Sequence, residues 1–123
     1  MSAFTTTEIE YLQDERRLGR LATADTDGLP QVTPVGMWSY NALLDTIDIS
    51  GHNFSSTKKY RNVEENPQAA LVIDDMASVD PWRPRAVMIQ GPAVAHPGGG
   101  QDGTPVIRLT PRNVVSWGLG ERV

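Results

Sequence analysis

An Asp-Gly turn between two extended segments is the feature that most limits how this 123-residue chain can fold. The segment Leu18–Asp25 predicts one strand, Thr26-Asp27-Gly28 predicts a tight turn, and Gln31–Tyr40 predicts the returning strand. Two extended runs around Asp-Gly are typical of a β-hairpin, in which the strands pair antiparallel. The sequence therefore predicts a fold that is mainly β.

The remaining extended segments are also short and are separated by turn residues. Further strands are predicted at Thr46–Ser50, Ala69–Asp74, Arg85–Ala95, Val106–Thr110 and Val114–Trp117. Gly91-Pro92 interrupts the longest of them and predicts a bend at the corner of a barrel. Asp80–Pro84 is expected to form a rigid loop.

Two short helices complete the predicted elements. The first spans Thr7–Gln13, where Thr7 and Glu10 form a capping-box pattern. The second begins near Ser56 and ends at Asn66, because the following proline disfavours helical geometry, and it is expected to bury Tyr60 and Val63. Six or seven strands with two helices predict one domain over residues 1–123, a small antiparallel β-barrel with short helices.

Length and charge restrict the partners. A net charge of −4 and a pI near 5.0 argue against nucleic acid and anionic membranes. The absence of cysteine excludes disulfides, thiolate metal sites and a cysteine nucleophile. No apolar run is long enough for a membrane span and no secretory signal is visible, so a cytoplasmic protein is expected. The chain is short for an enzyme with a private active site, so a deep pocket is expected to need a second subunit.

Residues 47–66 contain the strongest signal for ligand binding. Ser50 and Gly51 end a predicted strand, and Thr57, Lys58 and Lys59 begin a helix. A helix N-terminus offers free N–H groups and the positive end of a dipole, and lysines add charge, so the segment suits a phosphate. It is not a P-loop, because the G-x-x-x-x-G-K-[ST] pattern is absent.

A purely structural interpretation of the same segment stays open. Ser55, Ser56 and Thr57 could serve only as a helix cap. The cations could form a solvated face that is balanced by Glu64 and Glu65.

Other polar and aromatic residues give weaker signals. His52 and His96 lack metal-ligand spacing, and His52 is a ligand contact or a solvent-facing loop residue. Asp74 and Asp75 are adjacent on a predicted strand, so their side chains point to opposite faces and do not predict a metal or acid–base pair. The tryptophans beside loops or chain ends offer stacking surfaces for a planar ligand or fill a core or dimer interface. These tryptophans are Trp82 and Trp117.

Several motifs together resemble one family. Three segments resemble the pyridoxamine 5′-phosphate oxidase-like superfamily. They are Arg-Leu-Ala-Thr-Ala-Asp from Arg20, Asp-Gly-Leu-Pro-Gln-Val-Thr-Pro-Val-Gly from Asp27 and Thr-Lys-Lys-Tyr-Arg-Asn-Val-Glu-Glu-Asn-Pro from Thr57. Its fold is the split β-barrel of FMN-binding type. Three later segments resemble its deazaflavin-dependent branch, in the group of a tetracycline-biosynthesis reductase. They are Ser-Val-Asp-Pro-Trp-Arg-Pro-Arg-Ala-Val from Ser78, Gln-Gly-Pro-Ala from Gln90 and Val-Val-Ser-Trp-Gly-Leu from Val114.

This resemblance implies a homodimer with two interface sites for coenzyme F420, a deazaflavin, with FMN as the alternative cofactor. Thr33, Pro34 and Val35 are then expected to lie along the ring, and Ser50 and Gly51 to allow close approach of the chain. The phosphate is assigned to Thr57, Lys58 and Lys59. Trp82 and Trp117 match positions near the pocket, where they could reach across from the other subunit.

The implied activity is hydride transfer from the cofactor to a conjugated small-molecule substrate. No catalytic side chain and no metal ligand is nominated. The alternatives are an FMN-dependent oxidoreductase or oxidase and a non-catalytic binder of flavin, deazaflavin or haem. The segment His96–Thr104, glycine-rich and predicted to be mobile, replaces a longer region in relatives, which leaves the substrate open.

Overall fold

The computed structural model describes residues 1–120 of the chain. Its two helices are α1 (Thr6–Asp14) and α2 (Lys58–Glu65). Its strands are β1 (Gly19–Ala24), β2 (Pro30–Val35), β3 (Trp38–Asn41), β4 (Thr46–Ile49), β5 (Gln68–Ser78), β6 (Arg83–His96), β7 (Val106–Leu109) and β8 (Asn113–Trp117). Short 3₁₀ turns cover Phe54–Ser56 and Gln101–Gly103. The predicted mainly β fold with two short helices is confirmed.

All strand pairs are antiparallel and follow the order β2-β1-β5-β6-β7-β4-β3, with β8 paired to β6. Strand β6 belongs to two sheets. Its first part pairs with β5 and β8 in what we call the first sheet, and its end pairs with β7 in the second sheet. The change occurs at Gly91-Pro92, as predicted. A Cβ at Gly91 would lie 1.9 Å from the carbonyl oxygen of Thr110, so only glycine fits there.

The two sheets enclose one apolar core, which α1 and α2 complete. Tyr60 and Val63 of α2 are buried, as predicted, and Tyr11 and Leu12 of α1 are buried at another part of the same cluster. Fully buried aliphatic side chains from both sheets form its centre: Leu21, Ile47, Ile49, Leu71, Ile73, Ile89, Ile107 and Leu109.

The prediction of one strand over Gln31–Tyr40 is wrong. Strand β2 ends at Val35 and β3 begins at Trp38, and the two residues between them carry the chain from the first sheet to the second. The extended pattern continues across this break, so the sequence does not indicate it. The carbonyl oxygen of Met37 accepts a hydrogen bond from Ser50 N at 2.8 Å, which joins the start of β3 to the end of β4.

Other boundaries also differ from the predicted ones. The capping box is formed by Thr5 and Glu8, because Glu8 N donates to Thr5 Oγ1 at 3.1 Å and Thr5 N donates to Glu8 Oε1 at 2.8 Å. Helix α2 begins at Lys58, and Ser56 lies in the preceding 3₁₀ turn. Strand β5 extends to Ser78, and Arg83 and Pro84 of the predicted loop belong to β6, because strand pairing continues through them.

Candidate functional site

The start of α2 carries two cations without acidic partners. Thr57 caps the helix, because its Oγ1 accepts from Tyr60 N at 3.3 Å and donates to the Phe54 carbonyl at 2.6 Å. Lys58 and Lys59 follow in the first turn, where no acidic residue is present. Within residues 1–120 neither lysine makes an ion pair. Cations are unfavourable at this end of a helix dipole, so the arrangement suits an anion.

The observed contacts argue against the interpretation that this segment is only a helix cap with a solvated, charge-balanced face. Glu64 and Glu65 do not pair with the lysines in the described part of the chain, so they do not balance these charges directly. Arg61 donates to the Ser56 carbonyl at 3.0 Å and holds the turn before the helix. Of the three hydroxyl residues, only Thr57 acts as the cap of α2.

Gly51 and Lys59 both lie near the ring of Phe54. A Cβ at Gly51 would be 3.1 Å from the ring of Phe54, so a side chain there would press on that ring. Lys59 Nζ lies 5.9 Å from the centre of the same ring, and Phe54 itself is buried. Ser50 and Gly51, which follow β4, and Lys59 of α2 are therefore brought together around Phe54.

Two hydrogen bonds fix the direction of α2 along β1. Asn62 Nδ2 donates to Thr23 Oγ1 at 3.0 Å, and Asn66 Nδ2 donates to the Asp25 carbonyl at 3.3 Å. Four helical residues and two strand residues both span about 6 Å, so the two elements advance together. Lys58, four residues before Asn62, therefore lies towards the Leu21 end of β1.

Thr33 of β2 is the cross-strand partner of Leu21 and shares its face of the sheet. Its Oγ1 is buried and has no hydrogen-bond partner within the described residues. A buried hydroxyl without a partner is costly, because folding removes it from water. The buried hydroxyl of Thr33 therefore fits a ligand that offers it a polar partner. Sequence analysis placed Thr33 along the cofactor ring but did not identify its unpartnered hydroxyl.

The three predicted residues of β2 do not all present side chains to one face. Thr33 and Val35 face the core, and Pro34 lies on the opposite, exposed face. In residues 1–120, β2 pairs with β1 alone and forms one end of the strand order. Its other backbone edge is therefore available for hydrogen bonding.

The two tryptophans are both exposed in the single chain. Trp82 is between β5 and β6 with 71% of its area exposed, which rules out core packing in the single chain. Trp117 is 45% exposed and pairs with Ala86.

The acidic pair on β5 forms ion pairs and is not a catalytic dyad. Asp75 accepts hydrogen bonds from Arg85 at 2.6 and 2.9 Å, from Arg17 at 2.8 Å and from Tyr11 at 3.0 Å. Burial favours its protonated form, but these bonds outweigh burial and lower its pKa from 3.8 to about 2. Asp74, on the opposite face, pairs with Arg20.

Metal and membrane features are limited in the described part of the chain. Residues 1–120 contain no cluster of three or more His, Asp or Glu side chains arranged to hold a metal ion. Neither of its helices has the length and hydrophobicity needed to span a membrane. His52 and His96 are both exposed.

The fold and sequence define a class of protein. The chain is a mainly antiparallel β-barrel protein, and residues 5–117 match the sequence pattern of pyridoxamine 5′-phosphate oxidase. The chain belongs to the pyridoxamine 5′-phosphate oxidase family.

Similarity to a reductase supports an oxidoreductase activity for this protein. The 5a,11a-dehydrotetracycline/5a,11a-dehydrooxytetracycline reductase of Streptomyces rimosus is 40% identical over 121 residues, which cover 94% of this chain and 84% of the relative. This agrees with the predicted resemblance to a tetracycline-biosynthesis reductase.

Solved structures support the fold. An F420 reductase matches with a TM-score of 0.64 and 22% identity, over 86% of this chain and 94% of that one. The haem storage protein HutZ of Vibrio cholerae matches with a TM-score of 0.66 and 17% identity, over 94% of each chain.

Proposed function

We propose that this protein is a reductase that uses coenzyme F420 to transfer a hydride to a conjugated small-molecule substrate. The observation that carries the proposal is the pair of lysines, Lys58 and Lys59, in the first turn of α2 without an acidic partner among residues 1–120. A phosphate there gives the lysines an anion, and the buried, unpartnered hydroxyl of Thr33 on β2 adds a group that a bound ligand would satisfy. The 40% identical reductase supports the reaction class.

The residues of this chain bind and orient the cofactor. Lys58, Lys59 and the free N–H groups of the capped helix hold its phosphate through charge-assisted hydrogen bonds. The exposed edge of β2 offers backbone groups to the polar edge of the ring, where negative charge develops. The deazaflavin supplies a hydride when it is bound. No side chain of this chain is assigned as a proton donor.

A homodimer completes the site in this proposal. The outer face of the first sheet carries exposed apolar side chains beside the Arg20–Asp74 ion pair, with Val32 at 66%, Val115 at 41% and Trp117 at 45% exposure. Cross-strand partners place Val72 and Met88 on the same face. An apolar sheet face of this kind is typical of an interaction surface. A second copy packed on it would bring Trp82 or Trp117 towards the partner's cofactor.

Parallel titration with F420 and FMN, each followed by fluorescence, tests the proposed cofactor. The result expected is saturable binding of F420 that is at least about tenfold tighter than that of FMN. Tighter FMN binding would favour the FMN-dependent alternative. Binding of neither, together with a Soret band after addition of haem, would favour the non-catalytic haem binder.

A further inference from the structure

The free edge of β2 carries an uneven set of backbone groups, because two residues of this strand are prolines. Pro30 and Pro34 have no N–H group, and Val32 lies midway between them. Within residues 1–120, β2 pairs with β1 alone, so one of its backbone edges has no neighbouring strand. The bonding between β1 and β2 decides which residues direct their N–H and C=O groups to that edge.

A hydrogen bond at the turn fixes the bonding pattern of this strand pair. Asp25 N donates to the Leu29 carbonyl at 3.2 Å, and these two residues continue the register of β1 and β2. Bonded and non-bonded pairs alternate along antiparallel strands, so the bonded residues of β2 are Gln31, Thr33 and Val35. The two prolines fall on non-bonded positions, as expected for residues that have no donor.

Only Val32 presents both a donor and an acceptor to the free edge of β2. Its N–H and C=O groups point away from β1, and Pro30 and Pro34 each add a carbonyl oxygen. A further antiparallel strand needs a donor at every second residue, and both prolines lack one. The edge is therefore unsuited to a strand from another chain, and it offers a single peptide flanked by two proline rings.

The residues expected along the cofactor ring do not supply such a pair of groups. The backbone groups of Thr33 and Val35 bond to β1, and Pro34 has no donor. At Val32 the N–H and the C=O lie side by side and point the same way, as in any extended residue. A ring that carries a carbonyl next to an N–H, such as a cyclic imide, forms two hydrogen bonds with them at once. The exposed prolines add apolar contacts for a flat ring.

We infer that the Val32 peptide binds the imide edge of the cofactor ring and orients it. The inference rests on the proposed function, in which the ring lies along the edge of β2. Deazaflavin and flavin rings both carry this edge, an N–H between two carbonyls, so Val32 serves either cofactor. The role belongs to the backbone of Val32 and is independent of its side chain.

Removal of one N–H group tests this inference. Val32→Pro deletes the donor without removing a hydrogen bond to β1, and Val32→Ala is the matched control that keeps the donor and shortens the side chain. Thr33→Pro checks the assigned bonding pattern, because it deletes an N–H that donates to β1. Replacement of Val32 by its α-hydroxy acid puts an ester oxygen in place of the N–H, which keeps the test valid if proline disturbs folding.

F420 and FMN are titrated into each protein and followed by fluorescence. Val32→Pro and the ester variant should bind the cofactor that wild type prefers about tenfold more weakly, because a ring carbonyl loses its donor. Val32→Ala should bind it as wild type does. In urea unfolding and sedimentation, Val32→Pro should match wild type, whereas Thr33→Pro should be clearly less stable.

The outcomes separate this inference from the proposed cofactor. Wild-type affinity in the ester variant, or an equal loss in Val32→Ala, would overturn the role of the Val32 peptide. The prolines would then serve only to protect the edge of β2 from other strands. A wild-type preference for FMN, with the same loss of FMN affinity in Val32→Pro, would contradict the use of F420 and support the role of Val32.

Discussion

Asn62 of α2 and Thr23 of β1 are joined by a buried hydrogen bond of 3.0 Å between residues 39 positions apart in sequence. Together with the bond from Asn66 to Asp25, it sets the direction of α2 along β1. This direction runs the first helical turn, with Lys58 and Lys59, towards the Leu21 end of β1. The position of the proposed phosphate site therefore depends on a polar contact at the other end of the helix.

Asn62→Ala should lower both stability and cofactor affinity. The loss of the bond leaves the Thr23 hydroxyl buried without a partner, at a cost of about 1–3 kcal/mol in the free energy of unfolding. Affinity for F420 should fall as well, because the helix is no longer fixed against β1. The control is Asn113→Ala, which removes an exposed hydrogen bond from Asn113 Nδ2 to Gln90 Oε1 at 2.9 Å. If Asn62→Ala bound F420 as wild type does, α2 would not depend on this bond for its position.

Lys58→Ala combined with Lys59→Ala should lose about 1–3 kcal/mol of F420 binding free energy, as expected for charge-assisted hydrogen bonds. The remaining affinity should depend less on salt concentration. The empty protein should be no less stable, because both cations oppose the helix dipole. Titrations at two salt concentrations and urea unfolding measure these effects.

The control for the change in net charge is Arg112→Ala, which removes an exposed cation from the loop before β8. It should bind F420 as wild type does. Unchanged affinity and unchanged salt dependence in the lysine double variant would instead support the interpretation that both lysines belong to a solvated face.

Trp82→Ala should weaken F420 binding while the melting temperature stays nearly unchanged. The side chain is 71% exposed, so its removal leaves no cavity in the single chain. Trp38→Ala is the contrasting variant, because Trp38 is buried and its indole N–H donates to the Arg17 carbonyl at 2.7 Å. That change should cost about 3–5 kcal/mol of stability. A large loss of stability with unaltered binding in Trp82→Ala would assign Trp82 to packing.

The low pKa of Asp75 predicts how acid affects the fold. A carboxyl group with a pKa near 2 in the folded protein stabilises it above the unfolded value of 3.8, and this contribution disappears as the pH falls towards 2. The contribution is about 2 kcal/mol. Asp75→Asn should be less stable at neutral pH, partly because Arg17 and Arg85 lose their partner.

Urea unfolding between pH 2 and pH 7 measures this dependence. The free energy of unfolding should fall less steeply with acid in Asp75→Asn than in wild type. Asp74→Asn, which alters an exposed pair with Arg20, should follow the wild-type curve closely. Parallel curves for wild type and Asp75→Asn would contradict the assigned pKa.

Local signals in the sequence account for much of the fold. Asp27-Gly28 predicted the first hairpin, and Gly28 has a φ of +83° with its N–H bonded to the Asp25 carbonyl. Gly91-Pro92 predicted the bend of β6 for a local steric reason. The break between β2 and β3 was missed, because tertiary pairing of Met37 with Ser50 overrides an extended pattern that continues through it.

The candidate site was predictable only where its signal is local. The capped helix with two lysines can be identified from residues 57–59 alone. The unpartnered Thr33 hydroxyl could not, because its surroundings depend on strands that meet only in the folded barrel.

Sedimentation velocity of the protein with F420, followed at the absorbance of the deazaflavin, tests most directly whether the cofactor site lies between two subunits. The expected result is that the deazaflavin sediments with a dimer and that dilution to monomer releases it. A monomer that carries F420 at full affinity would contradict the interface site, and a dimer that carries none would contradict the deazaflavin assignment.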